Sequence, residues 1–212
     1  VRVDSPYETP GKVWSFHKQL VKGVFNHHDT RPGGAWSDRG QDANSGGIWA
    51  PVTSHISRGA VIDNVLAVPD WSRGLEHPIL KVSLDYRANR NRSVVMSLRL
   101  IPDNFIGQSY QLEKSVSLLA SQHDAQTLTA NFALDNPALW WPAGHGKQNL
   151  YRLEVSFSDR LGMMDVTHVR TGLRQIAIDP QEQSWLINGK RLFIRGTNYI
   201  GSPLLGSLTS AD

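Results

Sequence analysis

The residues able to do chemistry fall in two places. His17 and the run His27-His28-Asp29 carry metal-ligand side chains, and the corner Leu139-Trp140-Trp141-Pro142, followed by Gly144 and Gly146, carries two indoles that could stack on a sugar ring. A metal needs several donors converging on one point. Neighbours in extended chain point to opposite faces, so His27 and His28 do not share an ion, and hydrogen-bonded histidines are the better reading. No metal site or cofactor is expected. The two indoles face the same constraint: one enters the core and the other faces a neighbouring element. Asn91-Arg92-Ser93 matches a glycosylation sequon, a pattern short enough to arise by chance.

These residues need a scaffold, and the composition limits its kind. The chain has 212 residues, 40% of them hydrophobic and 19% charged, as expected of a globular protein. A net charge of +3 from 22 basic and 19 acidic residues, without a long Lys/Arg cluster, speaks against a nucleic-acid partner. No apolar run approaches the roughly 18 residues of a membrane span. Zero cysteines exclude disulfides, cysteine nucleophiles and thiolate metal sites. The opening Val1-Arg2-Val3-Asp4 lacks a methionine and a signal-like apolar core and reads as a mature end or an excised piece.

The pattern divides the chain into three. Residues 1–56 are polar, glycine-rich and aperiodic, which suits the tail of a preceding β-domain better than a unit with its own core. Residues 57–174 hold short alternating runs: Val61 to Val68, Ile79 to Tyr86, Val94 to Ile101, Tyr110 to Leu118, Thr127 to Leu134, Leu150 to Phe157 and Asp165 to Thr171. About seven such runs at this spacing predict an all-β, immunoglobulin-like antiparallel sandwich without a cysteine pair. Residues 175–212 open with Ile176 to Ile178, a turn at Asp179-Pro180 and a hairpin whose Asn188-Gly189 pair suits a type I′ turn, as if another domain began there.

Three motifs in order then carry a family resemblance: Gly47-Ile48-Trp49-Ala50-Pro51-Val52; Leu139-Trp140-Trp141-Pro142 with Gly144, Gly146, Gln148, Leu150 and Tyr151; and Gly172-Leu173-Arg174 with Ile187-Asn188-Gly189-Lys190 and Phe193 to Asn198. Together they resemble glycoside hydrolase family 2, in particular its β-mannosidase and exo-β-glucosaminidase branch. The resemblance implies an internal piece of a retaining exo-β-glycosidase: the tail of a jelly-roll sugar-binding domain, a complete sandwich, and the first hairpin and strand of a (β/α)₈ barrel. It implies a carbohydrate substrate for the full-length enzyme and, as the chain's partners, the missing jelly-roll and barrel portions. The five glutamates, Glu8, Glu76, Glu113, Glu154 and Glu182, match neither catalytic motif of the family, so no catalytic residue is expected in this chain.

The same resemblance supplies the substrate-binding candidates. A Trp/Asp loop before the Gly-Ile-Trp motif reaches the sugar in that branch, which here points to Trp36, Asp38 and Asp42. An indole offers a flat apolar face, and a carboxylate accepts hydrogen bonds from neighbouring hydroxyls. Asn198 falls at the carboxyl end of the implied first barrel strand, where such barrels place their active-site groups. The reading from another class is a stand-alone β-sandwich that binds glycans or mediates adhesion.

Overall fold

A computed structural model describes Arg2, Ile48 and residues 51–197. The chain forms two compact units, one of Val1–Ser54 with Arg195–Asp212 and the other of His55–Ile194. In the first, the described residues carry no regular secondary structure. The second holds ten strands: β1 (Ala60–Asp70), β2 (Ile79–Ala88), β3 (Arg92–Pro102), β4 (Tyr110–Leu118), β5 (Ser121–Ala133), β6 (Tyr151–Asp159), β7 (Gly162–Thr171), β8 (Ile176–Asp179), β9 (Ser184–Ile187) and β10 (Lys190–Leu192).

The first seven strands make the expected sandwich. One sheet has the order β1-β2-β5 and the other β4-β3-β6-β7, all neighbours antiparallel. Alternation explains both the strands and the core. Leu80, Val82, Leu84, Tyr86 and Ala88 of β2 point inward, as do Val94, Met96, Leu98 and Leu100 of β3 and Tyr151, Leu153, Val155 and Phe157 of β6. The intervening side chains face outward. Each fully buried leucine or phenylalanine contributes about 1.5–3 kcal/mol of transfer free energy. Tyr86 and Phe157 meet edge to face across the sheets, with ring centroids 6.0 Å apart.

Two polar contacts close the sandwich where β1 and β7 meet. Asp165, on β7 and only 4% exposed, accepts the Ile62 backbone N–H at 2.7 Å through one oxygen and contacts His55 Nε2 at 2.5 Å through the other. Arg58 donates its backbone N–H to the Met164 carbonyl at 2.8 Å, and its guanidinium bonds Asp159 in the β6–β7 hairpin. The segment entering the sandwich is thereby held against the second sheet.

β8, β9 and β10 form a separate three-stranded antiparallel sheet within the same compact unit. Asn188 and Gly189 both have positive φ, 49° and 75°, as a type I′ hairpin turn requires.

Candidate functional site: the tryptophan corner and the hairpin locked to it

Between β5 and β6 the chain turns a corner whose backbone is held by named bonds. Asn136 donates its N–H to the Glu76 carbonyl at 2.7 Å. Ala138 donates its own to the Tyr151 hydroxyl at 2.9 Å, a tyrosine-corner arrangement at the start of β6. Asn149 Nδ2 reaches the Leu139 carbonyl at 3.1 Å, and Trp140 N–H the Leu173 carbonyl at 2.8 Å. Prolines 137 and 142 bar regular structure, so side chains and the neighbouring strand take the place of a sheet ladder.

Neither indole enters the core, contrary to the expectation that one would. Both are half-buried, and Ala138 and Leu139 pack against the core instead. Glycine lets the backbone pass close to each ring. A Cβ on Gly172 would lie 2.8 Å from Trp140, and one on Gly146 would lie 2.7 Å from Trp141. Cations lie over both rings: the Arg174 guanidinium 4.9 Å from the Trp140 centroid, the Lys190 ammonium 5.2 Å from that of Trp141. Ring faces occupied by glycine backbone and cations are poorly placed for stacking on a sugar.

The hairpin turn is locked to this corner through Asn188, a residue only 4% exposed. Its N–H donates to the Gln175 carbonyl at 2.9 Å, its Oδ1 accepts the Gln175 N–H at 2.9 Å, and its Nδ2 donates to the Trp140 carbonyl at 3.0 Å. Asparagine can adopt the left-handed conformation and can both donate and accept through its amide, and the site uses both properties. The Asn-Gly pair signalled the turn in the sequence; nothing local signalled its tertiary partner. Among the described residues, Ile176, Ile178 and Trp185 on one face of the hairpin sheet stay 53%, 58% and 42% exposed, with Phe193 following at 83%, while Ile187, opposite Ile176 on that face, is buried.

A cleft of about 710 Å³ opens beside the corner, lined by Phe105, Tyr110, Asn136, Lys147, Gln148 and Tyr151 among others. The Tyr110 hydroxyl donates to the Asp135 carbonyl at 2.7 Å, and burial pushes its pKa up to about 12. Neighbouring Asn104 is fully engaged, with Nδ2 on the Gln148 carbonyl at 2.9 Å and Oδ1 on the Leu150 N–H at 2.8 Å.

No described glutamate forms an acid–nucleophile pair. Glu113 and Glu154 stand on the outer face of the larger sheet with β3 between their strands, a separation of about two strand spacings of 4.8 Å. Retaining glycoside hydrolysis uses carboxyls about 5–5.5 Å apart. Glu154 is bonded to Arg99 at 3.2 Å, Glu182 to Arg191 at 2.9 Å, and Glu76 lies exposed between β1 and β2. Asn91 lies in the exposed β2–β3 turn, where its Oδ1 accepts the Ala120 N–H at 2.6 Å. Among the described residues no three His, Asp or Glu side chains come together as a metal site. Trp36, Asp38, Asp42 and Asn198 lie outside the described residues, as do His17, His27, His28 and Asp29.

The fold and the corner define an immunoglobulin-like sandwich with a hairpin fastened to one end. The chain belongs to the glycosyl hydrolases family 2, whose family model matches residues 60–174. It is 31% identical over 177 residues to the mannosylglycoprotein endo-β-mannosidase of Lilium longiflorum, covering 78% of this chain and 18% of that protein. To the exo-β-D-glucosaminidase of Amycolatopsis orientalis it is 26% identical, over 77% of this chain and 16% of the relative. The crystal structure of the exo-chitosanase from the same organism superposes with a TM-score of 0.53 at 26% identity, covering 68% of this chain and 16% of that one. A family 2 member from Bacteroides cellulosilyticus, at 16% identity and a TM-score of 0.52 over 65% of this chain and 18% of its own, shares the fold. The chain therefore spans less than a fifth of the length of these proteins.

Proposed function

We propose that this chain is an internal part of a retaining exo-β-glycosidase acting on β-mannosides or β-glucosaminides, and that its sandwich spaces and braces a sugar-binding domain against a catalytic barrel. In this reading residues 1–56 are the tail of a jelly roll, 57–174 the sandwich, and 175–212 the entry to a (β/α)₈ barrel. The observation that carries it is the Asn188 lock. A hairpin fixed by three hydrogen bonds around one buried residue, with exposed apolar residues on one face among those described, suits a rigid mount for a further domain. Names of the relatives, β-mannosidases and exo-β-glucosaminidases, support the substrate class.

Catalysis is assigned to carboxylates outside this chain, because its described glutamates are separated or held in ion pairs. Trp36, Asp38, Asp42 and Asn198 are proposed as sugar contacts in the assembled enzyme. The test is an assay of the purified chain on aryl β-mannoside and aryl β-glucosaminide: no turnover above a mock purification is expected, and turnover that tracks the chain would overturn the assignment. A second reading, a free-standing glycan-binding sandwich, draws on the mixed aromatic and amide lining of the 710 Å³ cleft. Calorimetric titration with manno- and glucosamino-oligosaccharides separates the two: saturable binding by the chain alone favours the module.

A further inference from the structure

At the opposite end of β6 from Tyr151, a second cleft of about 590 Å³ lies between the β2–β3 and β6–β7 turns. That volume falls within the roughly 300–1,000 Å³ typical of small-ligand sites. Arg90, Arg92 and Arg160 line it together with Ser93, Ser115 and Ser158. Arg90 and Arg160 are exposed, and their side chains make no hydrogen bond or ion pair with the described residues. Arg92 spends one donor on Asn89 Oδ1 at 2.6 Å, places Nη1 3.9 Å from Met164 Sδ, and keeps Nε buried without a partner. The carboxylate on the rim, Asp159, is already bound by Arg58 at 2.5 Å. Three arginines and one carboxylate line the cleft, and that carboxylate is already paired outside it, which leaves the cleft positive.

We propose that this cleft is a binding site for a tetrahedral oxyanion, sulfate or phosphate, either free or as an ester on a sugar. Three observations support it. Guanidinium forks match such oxygens geometrically and keep their charge at any physiological pH. Serine hydroxyls from three strands add donors that turn to suit the ligand. Two like charges from separate turns line one cleft whose lining carboxylate, Asp159, is already paired with Arg58, which leaves positive charge for a counter-ion to balance. The cleft also exceeds the size of a bare ion, which leaves room for a carrier.

The experiment is a backbone and arginine side-chain NMR titration of the whole chain with sodium sulfate and sodium phosphate, against sodium chloride at matched ionic strength. Saturable shifts at Arg90, Ser93 and Arg160 are expected with either oxyanion, with chloride at least about tenfold weaker. The paired substitution Arg90→Gln and Arg160→Gln is expected to weaken binding by about tenfold or more, since each removes a charge-assisted contact. Both side chains are exposed, so the amide spectrum of the variant should otherwise match the parent. A sulfated oligosaccharide that binds more tightly than free sulfate, while its unsulfated counterpart does not bind, supports the site with the anion on a sugar. Equal binding of the sulfated sugar and the free ion supports it with the ion alone. Shifts equally strong with chloride, or unchanged by the paired substitution, overturn it.

Discussion

Asn188 concentrates several requirements in one side chain. It is buried, holds φ at 49°, and its amide is bonded at both ends. Asn188→Ala retains a backbone for which alanine is poorly suited and removes the partners of the part-buried Gln175 N–H and Trp140 carbonyl, at about 0.5–1.5 kcal/mol for each hydrogen bond. Urea unfolding is expected to show that loss, and hydrogen exchange to show it first at Gln175. Asn188→Asp keeps the acceptor for the Gln175 N–H but sets a buried carboxylate oxygen against the Trp140 carbonyl, so it should lose at least as much as the alanine variant. Tyr110 gives a pH signature. Its folded pKa, about 12, lies above the ordinary value of 10.0, so its contribution is complete below pH 10 and is lost as pH rises toward 12. Melting temperature should decline through that window, and Tyr110→Phe should decline less steeply, with the remainder coming from Tyr151, whose hydroxyl burial also pushes up.

At the level of elements, the contact between β1 and β7 joins the edges of the two sheets through a buried carboxyl. Asp165 serves the Ile62 N–H on β1, an edge strand whose register shifts just after Ile62. Asp165→Ala leaves that N–H buried and unpaired and is expected to lower unfolding free energy by about 1–3 kcal/mol. Asp165→Asn, which can still accept from Ile62, should recover most of it; equal loss in both variants would show that the charge rather than the acceptor matters. The seven sandwich strands were legible as alternating runs because a half-buried strand must repeat every second residue. β5 was legible only from Thr127, since its start, Ser121 to Gln126, is mostly polar and meets β2 only at its two ends, Ser121 with Ala88 and Gln126 with Tyr86. The positions of the two tryptophans were not legible: an indole's type favours burial, but glycine backbone and a cation can cover it as well as a core can.

For the molecule as a whole, the exposed apolar residues of the hairpin sheet are the feature that bears on association. Ile176, Ile178 and Trp185 are more exposed than isolated surface apolar residues need explain, because register places Ile178 beside Trp185 on one face. If that face is a mount for another domain, the chain alone should self-associate through it. Sedimentation velocity is expected to show concentration-dependent association that Ile178→Lys with Trp185→Ser abolishes, while the sandwich melts as before. Persistence of association in the variant would move the adhesive surface elsewhere.

Alternation, turn residues and the absence of cysteine were enough to determine an all-β antiparallel sandwich, its strand positions and the type I′ hairpin, because each follows from local backbone geometry and the side-chain period. Ordered motifs along the chain were enough to point to the family. Tertiary structure decided the rest: that the tryptophan corner is a clamp covered by Gly172, Arg174 and Lys190, that Asn188 ties the hairpin to it, and that Arg90, Arg92 and Arg160 share one cleft. These partners lie up to 70 residues apart in sequence, as Arg90 does from Arg160, and only the pairing of β3 with β6 brings their turns to the same end. A contact of that kind has no period to read.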